Sequence, residues 1–164
     1  MIKLLPSLFA FFLLQGCNEK TDKTSSLVTP DLKEKKQKSH KQTLPDTIET
    51  LGNLNWHSNV REAFSLAKKE QKNVIIMVGE DNCRWCVKMK KNTLSNPRIQ
   101  KQLQKYILVS IKRSDKEAVR NVAEFDGNIP SFFFLDENKE VLEAIVGYFN
   151  ANDFLGYILE IEEL

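Results

Sequence analysis

A predicted strand that leads directly into two closely spaced cysteines is the feature that most restricts how this chain can fold. The run at 74–78 is a continuous β-favouring apolar segment that stops at Gly79, which is typical of a central strand covered on both faces. Residues 83–91 contain neither Gly nor Pro, and they are predicted to form a helix that starts at Cys83, with Cys86 in its first turn. The pattern therefore predicts a strand, a cysteine pair and a helix in direct succession inside an α/β domain.

Alternating helices and strands are predicted on both sides of this junction. Apolar residues recur at helical spacing over 59–71, with Ser58 or Asn59 as N-cap. The elements predicted after the cysteines are a helix that begins near Pro97, a strand at 107–111, a short helix at 116–124, strands at 131–135 and 140–146 joined as an antiparallel hairpin, and a last helix at 152–163. A chain of 164 residues has room for one ordinary domain of this kind.

Cys83 and Cys86 have the spacing of a reversible disulfide. At the start of a helix the two side chains lie close enough to bond without a large backbone movement. Free amide groups and the positive end of the helix dipole favour the thiolate of Cys83, and Arg84 adds a cation beside it. We therefore predict Cys83 as the nucleophile and the more enclosed Cys86 as the resolving cysteine.

Three other uses of this cysteine pair compete with thiol exchange. Zinc would need two further ligands at matching spacing, and the only histidines, His40 and His57, are not paired with each other. A c-type haem attachment needs a histidine directly after the second cysteine, where Val87 stands. A static, purely structural disulfide is not excluded. Such a bond stabilises a fold by closing a long loop, however, and a bond between Cys83 and Cys86 would close a very short one. We predict no metal and no bound cofactor.

With a proline placed just before the strand at 131–135, the chain resembles the thioredoxin superfamily over residues 56–164. That resemblance implies a central mixed β-sheet flanked by helices. It also implies a cis-proline opposite the redox pair that helps to bind the extended backbone of the substrate, and Ile129 and Pro130 are the matching positions. An X-Pro bond is the only common site for a cis peptide, and the alternative is an ordinary proline before a strand.

A narrower resemblance concerns the residues around the cysteines. The run Cys-Arg-Trp-Cys-Val-Lys at 83–88, followed by Thr-Leu-Ser-Asn-Pro-Arg-Ile at 93–99, is similar to the subgroup that contains the C-terminal periplasmic domain of DsbD. Family members often carry a buried Asp in the strand before the motif to manage protons, and Met77 stands at that spacing here. Glu80 or Asp81 are candidates to replace it. Trp85 is either a platform that contacts substrate or a packed residue.

The N-terminus is predicted to be an export signal. Lys3, an apolar stretch at 4–14 and the sequence Leu-Gln-Gly-Cys ending at Cys17 form the layout of a secretory signal, and the apolar stretch is too short to span a bilayer. The last four of these residues resemble the bacterial lipobox, which implies that Cys17 carries lipid; the alternative is a plain signal peptide with an incidental cysteine. We predict a signal over 1–16, a lipidated N-terminus and flexible spacer over 17–55, and a thioredoxin-like domain over 56–164.

The function predicted from these features is disulfide exchange with exported proteins by a lipid-anchored protein that faces the periplasm. Cys83 and Cys86 would be catalytic, and Arg84, Trp85, Ile129 and Pro130 would contact the substrate. The formal net charge of the chain is only +2, so its charge does not point to a nucleic-acid partner. A thiolate favoured by Arg84 points toward an oxidant, whereas the DsbD-like surroundings imply a reductant or isomerase with a DsbD-type membrane donor. Alternatives are an adaptor with a static disulfide and an accessory factor in c-type cytochrome maturation.

Overall fold

A computed structural model of the protein describes residues 46–51 and 53–163. The strands are β1 Ile48–Leu51, β2 Leu54–His57, β3 Val74–Gly79, β4 Ile107–Lys112, β5 Ser131–Leu135 and β6 Val141–Val146. The helices are α1 Val60–Glu70, α2 Arg84–Lys88, which continues as a π-helical segment over Met89–Leu94, then α3 Pro97–Leu103, α4 Lys116–Val119 and α5 Ala151–Glu162. The predicted signal, Cys17 and the spacer up to residue 45 lie outside the described residues.

The strands form one mixed sheet in the order β1-β2-β4-β3-β5-β6. β3 lies in its interior, parallel to β4 and antiparallel to β5, and β5 forms an antiparallel hairpin with β6. This confirms the predicted thioredoxin-like class, a central mixed β-sheet flanked by helices. The end of β3 at Gly79 leads within four residues to the first cysteine, so the centre of the sheet positions the redox pair.

Two apolar cores cover the two faces of the sheet, and β3 and β5 contribute to both. Ile75 packs with Phe132 and Phe134 on one face, while Ile76 packs with Phe133 on the other. This division follows the alternation of side chains along a strand. It explains why both strands are continuous apolar runs, as expected for strands that are buried on both faces.

Side-chain caps fix where most of the helices begin. Asn59 accepts backbone hydrogen bonds at the start of α1, Asn96 does so for α3, Asp115 for α4 and Asn150 for α5. Such caps satisfy amide groups that have no partner within the helix, and each typically stabilises by about 1 kcal/mol. The predicted helices at 59–71 and 152–163 are therefore found with nearly the expected bounds.

The boundary predicted between spacer and domain is wrong, because the sheet begins before residue 56. β1 and β2 pair as an antiparallel hairpin, and Trp56 is only 1% exposed. The carboxylate of Asp46 accepts hydrogen bonds from the backbone N–H of Ser58 at 2.9 Å and from His57 Nδ1 at 2.6 Å. The folded part of the chain therefore includes residues from at least Asp46 onward.

Two helices also differ from their predicted extents. The helix predicted over 116–124 ends at Val119, because the Asn121 amide donates to the Glu117 carbonyl at 2.8 Å and so competes with the helical backbone. The helix that starts at the cysteines changes to π-helical geometry at Met89.

Among the described residues, no helix is both long enough and apolar enough to cross a membrane.

Candidate redox site

Cys83 is the N-cap residue of α2. Its backbone is extended, with φ −88° and ψ 108°, and its sulfur accepts a hydrogen bond from the backbone N–H of Cys86 at 3.1 Å. Cys83 and Cys86 are joined by a disulfide, with their Cα atoms 5.2 Å apart. The N–H that donates to the Cys83 sulfur is one that a helix leaves without an internal partner, and such a donor stabilises a thiolate when the disulfide is open.

The two cysteines differ sharply in exposure. Cys86 is 1% exposed and packs in the core with Met77 and Met89, whereas Cys83 is only partly buried at the edge of the same core. A sulfur of another protein can therefore approach Cys83 more readily than Cys86, and the inner sulfur is within reach of Cys83. This asymmetry is what an exchange mechanism with one attacking and one resolving cysteine needs.

Pro130 lies at the same end of the sheet as the cysteines. In the antiparallel pairing of β3 with β5, Ser131 is opposite Val78, so the residue before β5 lies at the end of β3 that leads to Cys83. The Ile129–Pro130 bond is cis, as the family resemblance implies. Pro130 is buried and Ile129 is half-buried against the core.

Trp85, between the two cysteines, is exposed on the surface. Its side chain is 48% exposed, and its ring centroid lies 5.6 Å from that of Tyr148. The Arg84 guanidinium lies 5.6 Å and the Lys88 ammonium 5.1 Å from the Trp85 ring centroid. Trp85 was expected either to contact substrate or to be packed in the protein. Its exposure next to the two cysteines favours the first interpretation.

Tyr148 and Lys88 were not among the residues predicted for the site. The Lys88 ammonium lies 4.3 Å from the Tyr148 ring centroid, closer than it lies to that of Trp85. Lys88 is one helical turn after Arg84, so its position on the same side could be found from the helix period. Tyr148 is 63 residues from Trp85 in sequence, and only the tertiary fold brings the two rings together.

A short loop after β6 ties the parts of the site to one another. The Gly147 N–H donates to the Pro130 carbonyl at 2.8 Å, and the buried Thr93 hydroxyl donates to the Phe149 carbonyl at 2.6 Å. Tyr148, between these two anchor points, stacks on Trp85. Thr93 belongs to the segment that carries the DsbD-like resemblance, and its role here is to hold this loop against the π-helical segment.

The buried sulfur has an apolar neighbourhood where the family often has an acid. A Cβ atom added to Gly79 would lie 3.4 Å from Met77 Cε and 3.6 Å from Cys86 Sγ, so the methionine and this sulfur border the same small space. Glu80 and Asp81, the candidates to replace the missing acid, are engaged elsewhere. The Glu80 carboxylate accepts from the Ser114 N–H at 3.0 Å, and Asp81 pairs with Lys112.

These contacts also set the charge states of the two acids. Hydrogen bonding to Ser114 holds the pKa of Glu80 below its ordinary value. Hydrogen bonding to Lys112, together with the charge of its ammonium, lowers the pKa of Asp81. Both carboxyls are therefore ionised at neutral pH and paired with residues at the end of β4 and in the loop that follows it.

A cleft of about 710 Å³ opens at the carboxyl ends of the parallel strands. Its walls include Gly79, Lys112 and the buried Trp56, whose indole N–H has no hydrogen-bond partner among the described residues. Cys83 and Cys86 do not line this cleft. The cysteine pair therefore lies outside the cleft, at the start of α2.

Comparison with known proteins relates this architecture to a family. A model of a thioredoxin-like domain matches residues 60–162. Spermatogenesis-associated protein 20 of Mus musculus is 33% identical over 70 residues, which are 42% of this chain but only 9% of that protein. The chain therefore spans a small part of the length of the curated relatives that it matches.

Two solved structures illustrate the likeness of the fold. A thioredoxin from Thermus thermophilus superimposes with a TM-score of 0.55 at 21% identity, covering 62% of this chain and 82% of that one. The oxidised C-terminal domain of DsbD from Neisseria meningitidis superimposes with a TM-score of 0.52 at 18% identity, covering 61% and 90%. The family model covers more than half of the chain, and the central strand leads to a disulfide-bonded cysteine pair at the start of a helix. The protein thus belongs to the thioredoxin-like family.

Proposed function

We propose that this protein is a thiol–disulfide oxidoreductase that exchanges disulfides with other proteins through Cys83 and Cys86. The observation that carries the proposal is the asymmetric pair itself. The two cysteines are joined at the start of a helix, with the outer sulfur accessible and the inner one 1% exposed. Pro130 lies at the same end of the sheet, and the family resemblance implies that a proline at this position helps to bind an extended substrate segment.

The reducing direction follows a balanced two-step exchange. The Cys83 thiolate attacks one sulfur of a substrate disulfide, and the other substrate sulfur leaves as a thiolate that takes up a proton. Cys86 then loses its proton and attacks Cys83, which closes the Cys83–Cys86 disulfide and releases the second substrate thiol. Two electrons have passed from the pair to the substrate, and an external dithiol must restore the reduced pair.

The proposal extends to the compartment and the partners. The signal-like N-terminus and the lipobox-like sequence at Cys17 support a lipid-anchored protein of the bacterial cell envelope that faces the periplasm. Exported proteins with cysteines would be the substrates, and a membrane electron donor of DsbD type would recharge the pair as it acts as a reductant or isomerase. The DsbD-like sequence around the cysteines supports this direction.

A trapping experiment tests the assigned roles. Cys86→Ser leaves the attack by Cys83 possible but prevents resolution, so we expect mixed disulfides with substrates to accumulate on non-reducing gels. Cys83→Ser is the matched control, because the same change three residues earlier removes the nucleophile. The wild type should accelerate the reduction of insulin by dithiothreitol, and a variant that carries both Cys83→Ser and Cys86→Ser should not. Trapping by Cys83→Ser in place of Cys86→Ser would overturn the order of attack.

A second candidate is an adaptor with a static disulfide. It is supported by Met77, which stands where family members often carry a proton acceptor, and by the exposed ring of Trp85, which suits a binding surface. The two functions differ in their response to reductant. A disulfide that persists in millimolar dithiothreitol, together with no turnover of insulin, would support the adaptor and contradict the oxidoreductase.

A further inference from the structure

Four side chains form a single surface beside the redox pair, which we call the platform: Arg84, Trp85, Lys88 and Tyr148. The two rings lie with centroids 5.6 Å apart, and the Lys88 ammonium is within 5.1 Å of both centroids. Trp85 directly precedes Cys86 and directly follows Arg84, which is itself next to Cys83. A protein segment that presents a disulfide to Cys83 must therefore pass close to the platform.

The cations of the platform are not neutralised within the described part of the chain. The ion pairs found there involve other bases, and neither Arg84 nor Lys88 takes part in one. Both contact an aromatic face instead, which attracts a cation while leaving its N–H donors exposed. The nearest acids in sequence, Glu80 and Asp81, are engaged by Ser114 and Lys112.

The platform is also held in place before any partner arrives. Tyr148 lies between Gly147, whose N–H is bonded to Pro130, and Phe149, whose carbonyl is bonded to the buried Thr93. The Lys88 side chain is restricted by its contacts with two rings. Because these groups are already ordered, a ligand that meets them loses less conformational entropy on binding.

We infer that the platform selects substrates that carry an acidic side chain within a few residues of the reactive cysteine. This inference rests on the proposed function, since it assigns a substrate class to the same site. A carboxylate near Lys88 and Arg84 neutralises two exposed cations, and an apolar or aromatic neighbour of the substrate cysteine covers the Trp85 ring. The acid contributes to binding and not to the bond exchange, so its effect should fall as salt screens it.

Matched peptide substrates test the inference. Three peptides share one disulfide and differ only in the residues flanking it, which are acidic, uncharged or basic. With the wild type at low salt, we expect kcat/KM for the acidic peptide to exceed that for the uncharged peptide about threefold to tenfold, as two exposed ion pairs allow. The difference should lie mainly in KM, the basic peptide should be the poorest substrate, and the preference should shrink at high salt.

Two lysine variants locate the effect. Lys88→Gln removes one of the two cations of the platform, and we expect it to lower the ratio of acidic to uncharged peptide about twofold to threefold, with the remaining preference due to Arg84. Lys91→Gln makes the same change in net charge at an exposed position three residues further along the same helix, and it should keep the wild-type ratio. Tyr148→Leu removes the ring nearest the Lys88 ammonium and should lower the ratio partway.

The outcomes separate the inference from the proposed function. Reduction of all three peptides at equal rates would overturn the selectivity while leaving the oxidoreductase intact. An equal loss of preference in Lys88→Gln and Lys91→Gln would also overturn it, because the effect would then come from net charge and not from the platform. Failure to reduce any peptide would refute the proposed function itself.

Discussion

Replacing Thr93 with Val tests whether the loop after β6 is held to the redox helix by one hydrogen bond. The Thr93 side chain is 0% exposed, and its hydroxyl donates to the Phe149 carbonyl at 2.6 Å. Val has nearly the same shape, so the change removes the donor without a large cavity. A buried hydrogen bond contributes about 0.5–1.5 kcal/mol net, and a buried acceptor left without a partner costs roughly 1–3 kcal/mol.

Because Phe149 is only half-buried, water can partly replace the lost donor. We therefore expect Thr93→Val to lower the free energy of unfolding by about 1–2 kcal/mol in urea denaturation. The matched control is Thr50→Val on the exposed edge strand β1, which should change it by less than about 0.5 kcal/mol. In native-state hydrogen exchange, the Gly147 amide should exchange faster in Thr93→Val. Stability within about 0.5 kcal/mol of wild type, with unchanged exchange at Gly147, would refute this reasoning.

Three further predictions concern stability and location. Burial opposes ionisation of Asp46, but hydrogen bonds from His57 and two backbone amides outweigh it and hold its pKa below the ordinary 3.8. The ionised Asp46 therefore stabilises the fold above pH 3.8, and this stabilisation is lost as the pH falls through the lower pKa of the folded state. Asp46→Asn should lower the free energy of unfolding by about 1–3 kcal/mol near neutral pH. Denaturation at several pH values should also show a smaller loss of stability in acid for this variant than for the wild type. Phe132→Ala should cost about 3–5 kcal/mol, whereas Val146→Ala, at a side chain 49% exposed, should cost well under that in the same assay. Cys17→Ser should move the protein from the membrane fraction to the soluble fraction and abolish incorporation of labelled fatty acid.

The sequence was sufficient for the centre of the fold because its signals there are local. Three features can each be recognised from a few neighbouring residues: the apolar run of β3, the cysteines directly after it and the proline before β5. The apolar runs of β3 and β5 predict strands buried on both faces, and both are found so. Burial, helix period and turn chemistry are short-range properties that a single sequence carries.

The first hairpin could not be recognised in the same way. Three of the four residues of β1 are exposed, so that strand lacks the apolar alternation that marks a half-buried strand. Its place in the fold depends on pairing with β2 and on the carboxylate of Asp46, which bonds to residues more than ten positions away. Only the assembled structure shows such contacts, and for this reason the predicted spacer extended too far.

The candidate site shows the same division between local and long-range information. Cys83, Cys86 and Trp85 are adjacent in sequence and were predicted together, and the cis bond before Pro130 agrees with the family resemblance. Tyr148 was missed because nothing near it in sequence indicates that its ring stacks on Trp85. The substitution of Met77 for an acid was visible in the sequence, but the structure was needed to find Glu80 and Asp81 engaged with other partners.

The most direct test of the central claim is the equilibrium redox titration of the Cys83–Cys86 pair against glutathione and dithiothreitol buffers. Thiol–disulfide enzymes of this superfamily have potentials from roughly −270 to −120 mV, while structural disulfides typically lie below about −300 mV. We predict a single reversible two-electron transition inside the enzymatic range, abolished by Cys83→Ser. A pair that stays oxidised to potentials below about −300 mV and does not exchange with either buffer would contradict the assignment of this site as a redox centre.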